Sequence, residues 1–118
     1  MVLVGKIKKG LGNANFWVKK IEDIFWEKEN IKLFYGTLNV CLEEPYEPQN
    51  YSVIKKEEYG GQQDVLVQKC EVLGHTSYIL RPEKTAHKTN IIEIVSDVNF
   101  REKYKLKDED VIKILVLN

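Results

Sequence analysis

Arginine is almost absent from this chain: of 18 basic residues only Arg81 and Arg101 are arginines, and the others are lysines. Arginine suits bidentate phosphate recognition better than lysine, so the placement of those two matters. An excess of charge of one sign is also missing, because 18 acidic residues balance the 18 basic ones. That balance argues against a general binder of nucleic acid or of an anionic membrane surface, whose affinity needs surplus cations. No run of about 18 apolar residues occurs, so no transmembrane helix is expected. The opening MVLVGKIKKG is too short and too soon charged for a secretory signal. Cysteine is scarce, and Cys41 and Cys70 lie in apolar, strand-like runs without the paired spacing of a zinc site. They read as two reduced, buried thiols of a cytoplasmic protein. Asn50-Tyr51-Ser52 matches the glycosylation sequon, but with no secretory signal the match reads as chance.

What is present describes an ordinary globular chain, with 43% hydrophobic and 31% charged residues in a length of 118. That length suits one domain over residues 1–118 and leaves no room for a second core. There is no internal repeat, low-complexity tract or linker. Residues 2–8 alternate as a strand with one buried face. A glycine loop follows at Gly10-Leu11-Gly12-Asn13-Ala14-Asn15, and Phe16-Trp17-Val18 resumes an extended segment. Ile21, Ile24 and Phe25 recur at helical spacing and predict a helix over about 19–29. Leu38 to Leu42 reads as a buried strand. The stretch 43–63 is the least legible, with Pro45 and Pro48 bracketing a loop, a candidate strand from Tyr51 to Ile54 and a turn at Gly60-Gly61. Val65 to Leu73 and Ser77 to Leu80, split by Gly74, predict a hairpin. Ile91 to Val95 is a further strand. Asn99 with Glu102 three residues on opens a short helix to about Tyr104, and Val111 to Leu117 closes the chain as a strand. Many short strands with two short helices make a mainly β protein, and a small barrel removes the exposed edges.

The glycine loop lacks the ending of a Walker A loop and the third glycine of the dinucleotide fingerprint. It is either a structural turn or, through its backbone N–H groups and the amides of Asn13 and Asn15, a phosphate cradle. In Gly36-Thr37-Leu38-Asn39, residues 37 and 39 project a hydroxyl and an amide oxygen from one face of a strand. Two neutral oxygens are too weak to hold Mg2+ alone, but would suffice if nucleotide phosphates supplied the charge. The alternative is a turn whose Thr37 and Asn39 satisfy local backbone groups. Glu93 interrupts an aliphatic strand and either points to solvent, which composition favours, or lines a cavity. His75 and His87 are lone histidines. Arg101 falls in the first turn of the late helix, where free N–H groups and the positive dipole end favour an anion. It otherwise faces water beside a capping Glu102.

Taken together and in order, these strings resemble the archaeal-type CTP-dependent riboflavin kinases. The shared strings are Gly10-Leu11-Gly12, Gly36-Thr37-Leu38-Asn39, Arg81-Pro82 with Lys84-Thr85 and His87, and the stretch from Ile91-Ile92-Glu93-Ile94 through Asn99-Phe100-Arg101-Glu102 to Ile114. The likeness spans nearly the whole chain and is weakest over 43–75. It implies a compact six-stranded cradle-loop barrel that transfers the γ-phosphoryl group of CTP to the 5′-hydroxyl of riboflavin, giving FMN and CDP. By position it implies nucleotide contacts at Leu11, Gly12, Asn13, Ala14, Asn15 and Phe16, and again at Asn99, Phe100, Arg101 and Glu102. It implies Mg2+ at Thr37 and Asn39, and flavin contacts at Thr85 and Glu93, with Glu93 in the catalytic role. It thereby replaces the solvent reading of Glu93. Ala14 and Asn15 stand where the family's loop usually carries another Gly and often an Arg, which removes one phosphate contact. A flavin- or nucleotide-binding module on the same barrel without turnover is the alternative reading. A DNA-binding relative of swapped-hairpin barrels is a third, and the zero net charge weighs against it.

Overall fold

The computed structural model describes residues 1–10, 12, 14–83 and 90–117. Among the described residues seven strands run β1 (Val2–Lys8), β2 (Leu38–Leu42), β3 (Ser52–Ile54), β4 (Val65–Val72), β5 (His75–Pro82), β6 (Ile91–Ser96) and β7 (Val111–Val116). The helices among these residues are α1 (Ala14–Glu29), α2 (Lys56–Tyr59) and α3 (Phe100–Lys103). Neighbouring strands follow the order β3-β4-β5-β6-β2-β1-β7, all antiparallel, and β7 returns to β4. The closure is shared along one edge of β4. Its first residues, Val65 to Val67, pair with β3, and Cys70 to Val72 pair with β7. Six strands therefore close as a barrel and β3 lies outside it, as expected of short strands whose edges must be covered.

Alternation along the strands produces two cores. Inward-facing Ile7, Val40, Val72, Ile79, Ile92, Ile94 and Ile114 fill the barrel. Phe100 of α3 joins this core from the end where β1 finishes and β2 begins, and Tyr46 joins it from the other. Tyr46 donates its hydroxyl to the buried Gln68 side chain, which spares a polar group inside the barrel. The second core lies on the outer surface, where Val18, Ile21 and Phe25 of α1 cover Val65, Val67, Tyr78, Leu80 and Val95.

The extended reading of Phe16-Trp17-Val18 is overturned, because α1 begins at Ala14. Val18 is fully buried and starts the series Val18, Ile21, Phe25, so the helical period reaches back through a β-prone triplet. The helix ends where Asn30 turns left-handed at φ 54°. A one-turn helix, α2, falls in the 43–63 stretch, where the sequence reads only as a loop, a candidate strand and a turn. Asn99 caps α3 as expected, its side-chain oxygen accepting from the Glu102 N–H at 3.2 Å. Cys70 is buried and Cys41 only half-buried, and both are free thiols.

Candidate functional site

The end of the barrel closed by α3 collects the C-terminus of β1, the N-terminus of β2 and the C-terminus of β6. Thr37 and Asn39 occupy the entry to β2, and the Asn39 amide nitrogen donates to the Thr37 hydroxyl at 3.3 Å. The two oxygens expected to act together therefore do share a face. Asn39 is buried, and its Oδ1 has no hydrogen-bond partner among the described residues. A buried acceptor left without a partner costs about 1–3 kcal/mol, which a ligand reaching this oxygen would offset. Gly10 packs directly on this side chain: a Cβ there would stand 2.6 Å from Asn39 Nδ2. A side chain at position 10 would therefore have to displace the end of the Asn39 side chain.

The donor set fits a hard cation. Oxygen ligands suit Mg2+, which is usually held by few protein groups together with substrate phosphates. Among the described residues no group of three or more His, Cys, Asp or Glu forms an all-protein cage. Thr37 and Asn39 are then the oxygens that could hold such an ion, provided a phosphate chain supplies the negative charge.

One cross-strand row runs Lys8, Asn39, Glu93, Leu80 over the outer surface of β1, β2, β6 and β5. Leu80 belongs to the apolar layer beneath α1, so Glu93 stands half-buried between that layer and Asn39. Composition alone favours solvent for Glu93; half-buried, the residue is the direct cross-strand neighbour of Asn39. Lys8 forms an ion pair with Glu109, and that carboxylate raises the lysine's pKa above 10.5.

Asn99, Phe100 and Arg101 line a cleft of about 110 Å3 together with Gly36, Thr37 and Ser96. The first turn of α3 and the Thr37 strand entry therefore face one concavity. Arg101 is half-buried and donates to the Lys8 carbonyl at 3.1 Å and to Asp108 at 2.6 Å, so it does not simply face water. Glu102 is exposed, and its carboxylate approaches the Asn99 amide at 3.4 Å. Gly12 and Asn15 are exposed beside Phe16, whose ring is covered by the Lys20 ammonium at 4.8 Å. Leu11, Asn13 and Thr85 lie outside the described residues, as do Lys84 and His87, and so does the side chain of Ala14. The other arginine is elsewhere: Arg81 is buried near the Tyr46 end and pairs with Glu47 at 3.6 Å. Sequence reasoning gives Lys8 and Asp108 no role, because the contacts of each with Arg101 span 93 and 7 positions.

A family model, CTP-dep_RFKase, described as domain of unknown function DUF120, matches residues 7–116. The chain belongs to the CTP-dependent riboflavin kinase family. The matched span begins at the end of β1 and contains every site residue described above. Within this family, the riboflavin kinase of Staphylothermus marinus is 32% identical over 117 residues, covering 97% of this chain and 90% of that protein. That of Methanocella arvoryzae is 29% identical over 119 residues, covering 96% and 56%. That of Pyrobaculum aerophilum is 31% identical over 129 residues, covering 98% and 60%. The chain thus spans little more than half the length of the latter two riboflavin kinases. Among the described residues no helix is long and apolar enough to cross a membrane.

Proposed function

We propose that this chain phosphorylates riboflavin to FMN, with CTP as phosphoryl donor, Mg2+ as the metal and CDP as the second product. The observation that carries the reading is the convergence of Gly10, the Thr37–Asn39 pair and the tip of α3 at one end of the barrel, with the Asn39 Oδ1 buried and unpartnered among the described residues.

In this reading the triphosphate lies between the loop leaving β1 and the first turn of α3. Backbone N–H groups from Leu11 to Phe16, the positive end of the 16-residue α1, and Asn99, Phe100, Arg101 and Glu102 bind the nucleotide. Thr37 and Asn39 hold Mg2+, which when bound neutralises charge on the phosphates. Glu93 and Thr85 bind riboflavin, and Glu93 orients the ribityl 5′-hydroxyl and accepts its proton. The hydroxyl oxygen forms a bond to the γ-phosphorus as the bond to the β–γ bridging oxygen breaks, and CDP leaves. Position and charge neutralisation carry most of the rate in such a transfer. The free thiols of Cys41 and Cys70 support a reducing, cytoplasmic setting, and the internal pairing of Arg81 weighs against a nucleic-acid partner.

The test is incubation of the chain with riboflavin, Mg2+ and each of the common nucleoside triphosphates in turn, followed by chromatography. FMN formed with CTP and lost on chelating the metal is the expected result. Flavin binding without FMN from any donor would instead assign a non-catalytic binding module.

A further inference from the structure

The nucleotide reading rests on two separate pieces of chain, and one guanidinium joins them. Arg101, on the first turn of α3, donates through one nitrogen to the Lys8 carbonyl at 3.1 Å and to the Asp108 carboxylate at 2.6 Å. Lys8 is the last residue of β1, two positions before the Gly10 that packs on Asn39. Asp108 belongs to a turn that is itself stitched to β1. The Glu109 N–H donates to the Ile7 carbonyl at 2.8 Å, and the Ile7 N–H to the Asp110 carbonyl at 2.9 Å. The turn is shaped by left-handed residues on either side, Lys105 at φ 53° and Glu109 at φ 75°.

We infer that Asp108 is a positioning residue for the nucleotide, acting through Arg101. The inference rests on the proposed placement of the triphosphate. The carboxylate holds the planar fork so that one of its nitrogens pins the start of the glycine loop to α3. The remaining N–H donors stay directed by that anchorage. Without the carboxylate the guanidinium turns on its flexible stem, and the two phosphate-binding elements lose their register. The side chains of the pair are 39% and 52% exposed, so it adds little to global stability. Its effect is geometric, and a small displacement of a positioning group is enough to lower affinity and rate.

Asp108→Asn keeps the shape and removes the charge, and Asp108→Glu keeps the charge on a longer arm. The measurements are calorimetric CTP binding with Mg2+, steady-state kinetics in each substrate, melting temperature, and amide exchange at Ile7 and Glu109 without nucleotide. Asp108→Asn is expected to raise Kd and KM for CTP by about tenfold, leaving KM for riboflavin and the melting temperature unchanged. Asp108→Glu recovers part of that loss, and exchange at Ile7 and Glu109 quickens in Asp108→Asn. Unchanged CTP affinity overturns the inference. So does tighter binding, which would mean that Asp108 competes with phosphate for Arg101. A wild-type chain that binds no CTP overturns the nucleotide reading itself. In that case the exchange rates still decide whether Asp108 holds β1 against α3, and unchanged rates reject it.

Discussion

Asn39 of β2 and Glu93 of β6 are direct cross-strand partners, so a buried amide whose oxygen has no partner among the described residues stands beside a half-buried carboxylate. The pairing puts the group proposed to hold the metal next to the group proposed to orient the acceptor hydroxyl. It arises because β2 inserts between β1 and β6, with Lys8 completing the row on the other side.

The orphaned oxygen separates function from stability. Asn39→Ala removes one weak hydrogen bond to Thr37 but also removes a buried acceptor that has no partner among the described residues. These effects oppose, so folding stability is expected to stay within about 1 kcal/mol of wild type. FMN formation dependent on Mg2+ should be abolished in Asn39→Ala and in Thr37→Ala. Thermal melts beside product chromatography check both; retained turnover in the two variants would reject the metal assignment.

The outer core should be costly to breach. Phe25 is buried under α1 and meets Tyr78 edge-on, ring centroids 4.9 Å apart. Phe25→Ala is expected to destabilise by about 3–5 kcal/mol, through lost burial and the cavity left against Tyr78. Denaturant titration with an unchanged m-value would measure it. A loss below about 1 kcal/mol would mean that α1 contributes little to folding.

Alkaline pH should weaken the fold. Burial pushes the Cys70 thiol from 9.0 up to about 12, and burial first, then the nearby Glu29 carboxylate, pushes Tyr78 from 10.0 to about 12. Both are acids whose folded pKa is raised. Their contribution is therefore intact below pH 9 and is lost as the pH rises towards 12. In that window the unfolded chain releases protons that the folded chain must keep. Each group adds a slope of at most about 1.4 kcal/mol per pH unit. Cys70→Ala should flatten the decline measured by denaturant midpoints between pH 9 and 11, though it lowers stability at neutral pH. An unaltered slope would place Cys70 in contact with water.

Much of the architecture was legible because its signals are local. The strand Leu38–Leu42 has the bounds that its apolar run suggests, the hairpin turns at Leu73-Gly74, and Asn99 caps its helix. Failures came where a distant surface decided. Phe16-Trp17-Val18 has strand-forming side chains, yet burying Val18 against the outer face of the sheet makes the segment helical. The place of Glu93 beside Asn39 is likewise visible only once β6 lies against β2.

The amino-acid sequence by itself determined which residues carry polar chemistry, where most strands and the late helix begin, and the resemblance to a kinase family. Those properties depend on neighbours a few positions away. Tertiary structure alone decided that β2 lies between β1 and β6, that Gly10 packs against the Asn39 side chain, and that Arg101 reaches back 93 positions to Lys8. Each follows from closing a sheet into a barrel, where the order of strands, not their order along the chain, chooses which side chains meet.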